Sequence, residues 1–338
     1  MSFFLLLHLP DSIIRKIIHG FELLQLLEFS LLSNRARLLV RSLNLTAQFF
    51  VFIRKDEICV SISGGRWSPE FSFYKNQGVS DDMVQREHQI DLPRPKFADV
   101  TICDQTNKLY KEEYELKNWV DHLLSIFNSS RIQELYLVTD RYDFKSLAKV
   151  FDRVEIFEGP RELRSAEDFE GFWNVSITSD TIYIDEFVYE GKEEKFHKTL
   201  MRNYKHVAFF NPISLSLDDL LMINSSETTF FYASFSTQKV LNRFLKHWIK
   251  GSNPRLEAIV FNCNFEQKFE MDQLLKGIDY KIVPPDREKR FSRLERGALE
   301  YYTLEGGIDI KRCDGTFATL NINGTEHSAS IGMYVWQY

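Results

Sequence analysis

The side chains best suited to bind a metal or to pair as nucleophile and base are eight histidines, at 8, 19, 88, 122, 197, 206, 247 and 327, and four cysteines, Cys59, Cys103, Cys263 and Cys313. No two histidines stand four apart on a helix and no CxxC pair occurs, so neither a helical zinc site nor a zinc-ribbon or thioredoxin motif is encoded. A reactive thiol needs a neighbour that favours the thiolate. None of the four cysteines has a His-flanked or basic context of that kind; Cys313 follows Lys311-Arg312, but in a motif read below as structural. The carboxylate pairs Glu193-Glu194 and Asp218-Asp219 are adjacent in sequence, which turns their side chains apart on a helix, and they read as solvated faces. Neither GxSxG, HExxH, a phosphate-cradling Walker loop nor GxGxxG is present. The expectation is a chain with no catalytic residues, no metal, no cofactor and no enzymatic activity of its own.

Composition narrows the class further. The 338 residues suit about two or three domains. A hydrophobic share of 44% against 27% charged is that of a globular protein, not a disordered or repetitive one. The 29 phenylalanines must be buried or offered to a partner. The net charge of −6 argues against nucleic acid, whose phosphates need a basic face. The most basic stretch, Arg287 to Arg296, is interleaved with Glu288 and Glu295 and reads as a solvated loop or helix face. Sparse, scattered cysteines suggest reduced thiols and a cytoplasmic or nuclear location. Phe3 to Leu9 imitates a signal-peptide core, yet no basic residue precedes it and Pro10-Asp11 follows in place of a cleavage site. No apolar run of about 18 residues exists to span a membrane.

Three helices are expected in residues 1–45. Pro10 opens the first, with Ile13, Ile14, Ile17, Ile18 and Phe21 as an apolar stripe. Leu23, Leu24, Leu26, Leu27 and Leu31 mark the second, and Ser33-Asn34 caps a third that carries Leu38, Leu39 and Leu43. So small a unit cannot bury that many Leu and Ile by itself, so part of its surface should meet a partner. Residues 46–113 read as a β-hairpin, Phe50 to Ile53 with Ile58 to Ile62, then a short strand at Phe71 and Phe73 and a polar loop over 77–98. From 114 to 338 helix and strand alternate. An amphipathic helix runs from Leu116 to Phe127, a strand at Leu135 to Leu137, a helix over Phe144 to Phe151, and short strands at Val154, Ile182, Val207, Phe230 and Ala258. The last four recur at intervals of about 25 residues, one strand and one helix per repeat, which suggests a degenerate leucine-rich-repeat-like arc; the alternative is a plain α/β sheet with irregular crossovers. Strands return at Tyr301–Leu304, Gly307–Lys311, Phe317–Asn321 and Met333–Trp336, with Gly306-Gly307 and Asp314-Gly315 as turns.

The segment HLPDSIIRKIIHGFELLQLLEFSLLSNRARLL resembles the F-box in its Leu9-Pro10 start, the Ile13 to Ile18 helix, the Leu26-Leu27 pair and Ser33 followed by Arg35. Gly20-Phe21-Glu22 departs from the pattern, where Leu-Asp-Pro is usual. LNRFLKHWIKGSNPRLEAIVF at 241–261 and GGIDIKRCDGTFATL at 306–320 resemble the type 2 F-box-associated domain of nematode F-box proteins. In the first of these, Val240, Leu241, Phe244, Leu245, Trp248 and Ile249 form a core stripe, Gly251 suits a left-handed helix end, and Asn253-Pro254 stops the helix.

The resemblance implies a three-helix F-box, then an F-box-associated α/β domain ending in antiparallel strands. It implies a substrate receptor of a Skp–cullin–F-box ubiquitin ligase, which docks the Skp adaptor, and through it a cullin, with its N-terminal helices and holds a target protein with the rest. Leu9, Pro10, Ile13, Ile14, Ile17, Leu26, Leu27, Leu31 and Ser33 are the adaptor-side candidates, as contacts or their immediate support. Tyr136, Tyr183, Asp185, Phe210 and Tyr232 are the target-side candidates, as strand residues facing outward. Two readings stay open: an interaction protein working outside a cullin complex, and an unrecognised hydrolase or transferase, which a converging Ser, His and acid would favour.

Overall fold

Three phenylalanines one strand apart stack in the core: Phe209 on Phe230 at 5.0 Å and Phe230 on Phe261 at 5.5 Å, all rings nearly parallel. Such a column forms only when neighbouring strands run parallel and in register, because one slip would turn every ring to the other face. The structure, a computed structural model, describes residues 6–336 apart from 66, 75–91, 93, 139–141, 160–178, 185–192, 236, 266–267, 296–297 and 326. Contacts divide the chain into two units, Met1–Ser179 and Asp180–Tyr338.

The first unit opens with a 3-10 turn, Leu6–His8, and the helices α1 (Asp11–Ile18), α2 (Leu23–Leu31) and α3 (Asn34–Arg41). There follow β1 (Gln48–Ile53), β2 (Ile58–Ser63), β3 (Glu70–Phe73), β4 (Ala98–Ile102), β5 (Gln105–Leu109), α4 (Leu116–Ile126), β6 (Ile132–Leu137), α5 (Phe144–Val150) and β7 (Val154–Glu158). The sheet order is β7-β6-β1-β2-β3-β4-β5. β1 to β5 are an antiparallel meander, whereas β6 runs parallel to both β1 and β7. The expected hairpin is present. Arg54 N–H donates to Glu57 O at 2.9 Å across its turn, and the two side chains form an ion pair. The pair β4–β5 was not foreseen. Its turn is Cys103-Asp104, with φ of 48° and 65°, which is the backbone of a tight hairpin turn without the Asn-Gly or Asp-Gly that usually signals one. The expected loop over 77–98 falls mostly outside the described residues. The expected boundary after residue 113 lies inside this unit, whose sheet joins β1 to β6.

The second unit runs β8 (Thr181–Ile184), α6 (Glu193–Leu200), β9 (His206–Ser214), α7 (Leu217–Met222), β10 (Glu227–Phe235), α8 (Lys239–Ile249), β11 (Ala258–Phe265), α9 (Met271–Leu274), β12 (Tyr280–Glu295), β13 (Ala298–Lys311), β14 (Phe317–Gly324) and β15 (Ser328–Trp336). Its sheet order is β12-β13-β14-β15-β11-β10-β9-β8. β8 to β11 are parallel with a helix in each crossover, and β11, β15, β14, β13 and β12 are antiparallel. The whole is α+β: N-terminal helices, then mixed sheet.

Two expectations are corrected here. The basic stretch from Arg287 is neither loop nor helix face but part of β12, the edge of its sheet, where alternate residues face outward and charge is tolerated. Gly306-Gly307 is not a turn; β13 runs through it. Gly307 has φ 109°, and a Cβ there would lie 2.7 Å from Leu320 O, so glycine is what lets β14 approach. Asp314-Gly315 is the turn expected, with Gly315 at φ 97°.

Candidate functional site

The N-terminal helices are built by local signals. Ser33 is extended (φ −166°) and its Oγ accepts from Ala36 N–H at 3.1 Å, capping α3. Gln25 Oε1 accepts from Glu22 N–H at 2.9 Å at the start of α2. The unusual Gly20-Phe21-Glu22 link is accommodated, with Phe21 set edge-on to Phe29 at 6.2 Å. Arg35 reaches back from α3 to the chain entry, donating to Leu9 O at 3.0 Å, to Leu7 O, and to Asp11 Oδ1 at 2.6 Å. Both charges are about half exposed, so the pair adds little stability, but the fork aims the Leu7–Asp11 segment.

Burial divides the nine adaptor-side candidates. Ile14, Leu26 and Leu27 are buried, with Ile18, Leu23 and Phe29, and form the unit's own core. Ile13 (46% exposed) and Ile17 (37%) lie one turn apart on the outer face of α1. Pro10 is exposed, and Leu9, Leu31 and Ser33 are half-buried. Two exposed leucines were missing from the candidates: Leu32 (65%) and Leu38 (55%). Leu32 falls at a helix junction, where periodicity fails, and Leu38 lies next to the buried Leu39.

The opposite side of the helices is fixed to the rest of the first unit. Buried Ser30 donates through Oγ to Leu27 O at 2.6 Å and meets His122 Nε2 of α4 at 2.8 Å. With that hydroxyl proton committed to Leu27, His122 must donate through Nε2, leaving Nδ1 to accept from Tyr114 Oη at 3.3 Å. Burial chiefly, then the charges of Arg37 and Lys111, lower the His122 pKa to about 4, so the ring is neutral. Asn128, at φ 49°, adds a second bolt: its amide donates to Arg41 O at 3.0 Å, where α3 ends.

The target-side candidates are scattered. Tyr136 is half-buried, stacks on Phe52 at 4.8 Å and donates to Glu134. Tyr183 is buried, edge-on to Phe210 at 6.0 Å and to His206 at 5.6 Å, which corrects its expected outward exposure. Phe210 is half-exposed and stacks at 4.3 Å on Phe231, a residue the sequence reading missed. Tyr232 is 58% exposed, and with Phe231 and Asn262 it lines a shallow depression of about 520 Å³. Asp185 lies outside the described residues. Tyr183, Phe210 and Phe231 thus form one aromatic row on the face of the parallel strands opposite the helices.

Ser216, His197 and Asp219 do converge, the arrangement that would favour a hydrolase. Ser216 Oγ donates to Asp219 Oδ2 at 2.6 Å, and His197 Nε2 meets Asp219 Oδ1 at 2.9 Å. A triad needs the serine bonded to the histidine; here both bond the acid. Ser216 Oγ also accepts from Asp219 N–H at 3.2 Å, so the group is the N-terminal cap of α7. Asp219 is therefore buried and bonded rather than solvated as expected. Burial pushes the Cys59 and Cys263 thiols up to about 12, away from nucleophilic use. Among the described residues no cluster of three or more His, Cys, Asp or Glu could hold a metal, and no helix is long and apolar enough to cross a membrane.

The two C-terminal motifs meet at one joint. Cys313 N–H donates to Ile249 O at 2.8 Å, and the Arg312 guanidinium, paired with Asp314 at 2.6 Å, sits 5.4 Å over the fully buried Trp248 ring.

Comparison with known proteins finds two matching families and one relative along the chain. Residues 6–48 match the F-box domain, and residues 195–261 match a family described as F-box associated. The Skn-1 dependent zygotic transcript 15 protein of Caenorhabditis elegans is 20% identical over 328 residues, 93% of this chain and 92% of that protein. No solved structure matches the chain. The protein thus carries an F-box domain in its N-terminal helices and an F-box-associated region spanning α6 to β11.

Proposed function

We propose that the protein is a non-catalytic substrate receptor of a Skp–cullin–F-box ubiquitin ligase, working in the cytoplasm or nucleus. The reading rests on one observation: α1 turns Ile13 and Ile17 to solvent while the other side of the helical unit is bolted to α4 through Ser30 and His122. An apolar face held rigid by its own scaffold is what a helix-on-helix interface needs. Leu9, Pro10, Leu31, Leu32 and Leu38 extend that face or support it. Phe210 and Phe231 of the aromatic row, with Tyr232 beside them, are the surface offered to a target, and the buried Tyr183 backs them. The leucine-rich-repeat-like arc belongs to the same proposal, as the curvature that would make this row concave. Holding a target beside the ubiquitin-charged partner turns a bimolecular transfer into an effectively intramolecular one.

The test is co-purification with the Skp adaptor, with the cullin probed in the same eluate. Wild type should capture both, and Leu9→Ala/Pro10→Ala neither. Adaptor without cullin would point to an F-box protein acting outside the ligase. Capture of neither by folded protein would overturn the proposal.

A further inference from the structure

The C-terminal meander of the second unit has two unlike faces. One packs inward through Ile310, Ala318, Leu320 and Met333, all buried. On the other, cross-strand partners place Lys281 opposite Asp309, Asp309 opposite Thr319, and Lys311 opposite Phe317. Phe317 in turn pairs with Trp336. Antiparallel partners share a face, and of these side chains Lys281, Asp309, Lys311 and Phe317 line one open pocket of about 500 Å³ that Asp279, Arg287 and Lys289 complete.

Charge decides what this pocket accepts. Asp309 is already neutralised: Arg287 grips it bidentately at 2.5 and 2.8 Å, and Thr319 donates to it at 2.6 Å. Trp336 Nε1–H donates to the same Thr319 hydroxyl at 2.8 Å, which fixes its ring. Lys289 Nζ lies 3.9 Å over that ring, and burial and the neighbouring Arg287 lower its pKa. Lys281 and Lys311 are exposed and, among the described residues, in no ion pair; Lys311 lies 5.2 Å from the Phe317 ring. Lys281, Lys289 and Lys311 thus line one pocket with the Phe317 ring, and among the described residues Asp279 is the one lining carboxylate not already held. The pocket lies beside β12, the sheet edge, where an extended chain can approach.

We propose that this pocket docks an acidic, extended segment of the target protein, its carboxylates set among Lys281, Lys289 and Lys311. The proposal rests on the receptor reading and adds the chemistry of what is received. It also places a recognition surface away from the aromatic row, on strands the sequence reading treated as solvated or structural.

The probe is a fluorescent hexaglutamate peptide, followed by anisotropy with the full chain, against hexaglutamine. Hexaglutamate should bind, weaken as salt rises, and lose about tenfold in affinity in Lys281→Glu/Lys311→Glu. Both lysines are exposed, so the variant should keep the wild-type melting temperature. The control Lys239→Glu/Lys250→Glu, at the ends of α8, should bind as wild type does. No binding at low salt, equal binding by Lys281→Glu/Lys311→Glu, or equal loss in the control would overturn the proposal. Displacement by millimolar inorganic phosphate would overturn it in favour of a small-anion site. Adaptor capture is measured on the same preparations: peptide binding with no adaptor capture would sink the receptor reading and leave the pocket standing, and the reverse would sink the pocket alone.

Discussion

The side-chain amide of Asn253 donates to the backbone carbonyl of Leu220 at 3.0 Å, and to that of Ile223 at 2.8 Å, tying the end of α7 to the loop that follows α8. Asn253 itself is buried at φ 48°. Asparagine is used in the same way elsewhere. Asn242 donates to Leu274 O and Lys276 O behind α9, Asn224 to Met201 O behind α6, and Asn128 to Arg41 O behind α3. Each satisfies carbonyls that a helix end leaves without partners.

Replacing Asn253 removes two buried hydrogen bonds and strands their acceptors. Asn253→Ala also puts a residue with no local hydrogen bond into a left-handed conformation. The expected loss is about 3 kcal/mol. Asn253→Gly relieves the backbone but not the carbonyls, so it should fall between wild type and Ala. Urea unfolding of the three proteins checks the order; an alanine variant as stable as wild type would refute it.

This role was invisible in sequence. The string Gly251-Ser252-Asn253-Pro254 reads as a stop signal, and it is one, but helix periodicity says nothing about a side chain that reaches an element some thirty residues away. The same limit explains Asp219, read as a solvated carboxylate because only tertiary structure brings His197 to it. Elements whose signal is local were legible. The Ile13–Ile18 stripe, the Ser33 cap, the Trp248 helix and the parallel strands built on Val207, Phe230 and Ala258 stand where their apolar spacing put them. β12 was not, because an edge strand carries charge on its outward positions and so loses the alternation that marks a strand.

Gly307 and Gly315 look alike in sequence and should behave differently. Both have positive φ, but a Cβ on Gly307 would strike Leu320 O and Thr319 Cγ2 at 2.7 Å, whereas Gly315 has nothing within 4 Å. Gly315→Ala should cost only the left-handed penalty, about 1–2 kcal/mol. Gly307→Ala adds a backbone clash in the middle of β13 and should cost clearly more, or leave the second unit unfolded. Thermal melts of the two variants settle the comparison; equal losses would mean that β14 moves away freely.

The His122 contact makes the first unit acid-sensitive. Its pKa is lowered from 6.5 to about 4 in the folded chain, so between these values the unfolded chain binds the extra proton. Stability from this group is therefore complete above about pH 6.5 and falls as pH drops toward 4, by about 3 kcal/mol in all. Carboxylates add their own acid response, so the measurement is a difference. His122→Gln, which cannot titrate, should lose less stability than wild type between pH 7 and pH 5 in urea unfolding. Parallel curves would show that His122 is not the group responsible.

The N-terminal helices allow binding and folding to be separated. Ile13 and Ile17 are exposed, and a polar residue at an exposed helix position changes stability by about 0.5 kcal/mol or less. Ile13→Ser/Ile17→Ser should therefore melt like wild type and lose adaptor capture. Ile14 and Leu27 sit in the core one residue away from exposed neighbours, and truncating either to alanine should cost about 2–5 kcal/mol. Capture by those variants should fall only as far as the unfolded fraction rises, and should recover on cooling or at higher protein concentration of the folded form. The informative comparison is capture per folded molecule. If Ile13→Ser/Ile17→Ser kept full capture while remaining folded, the outer face of α1 would not be the docking surface, and the exposed Leu32 and Leu38 would be the next side chains to change.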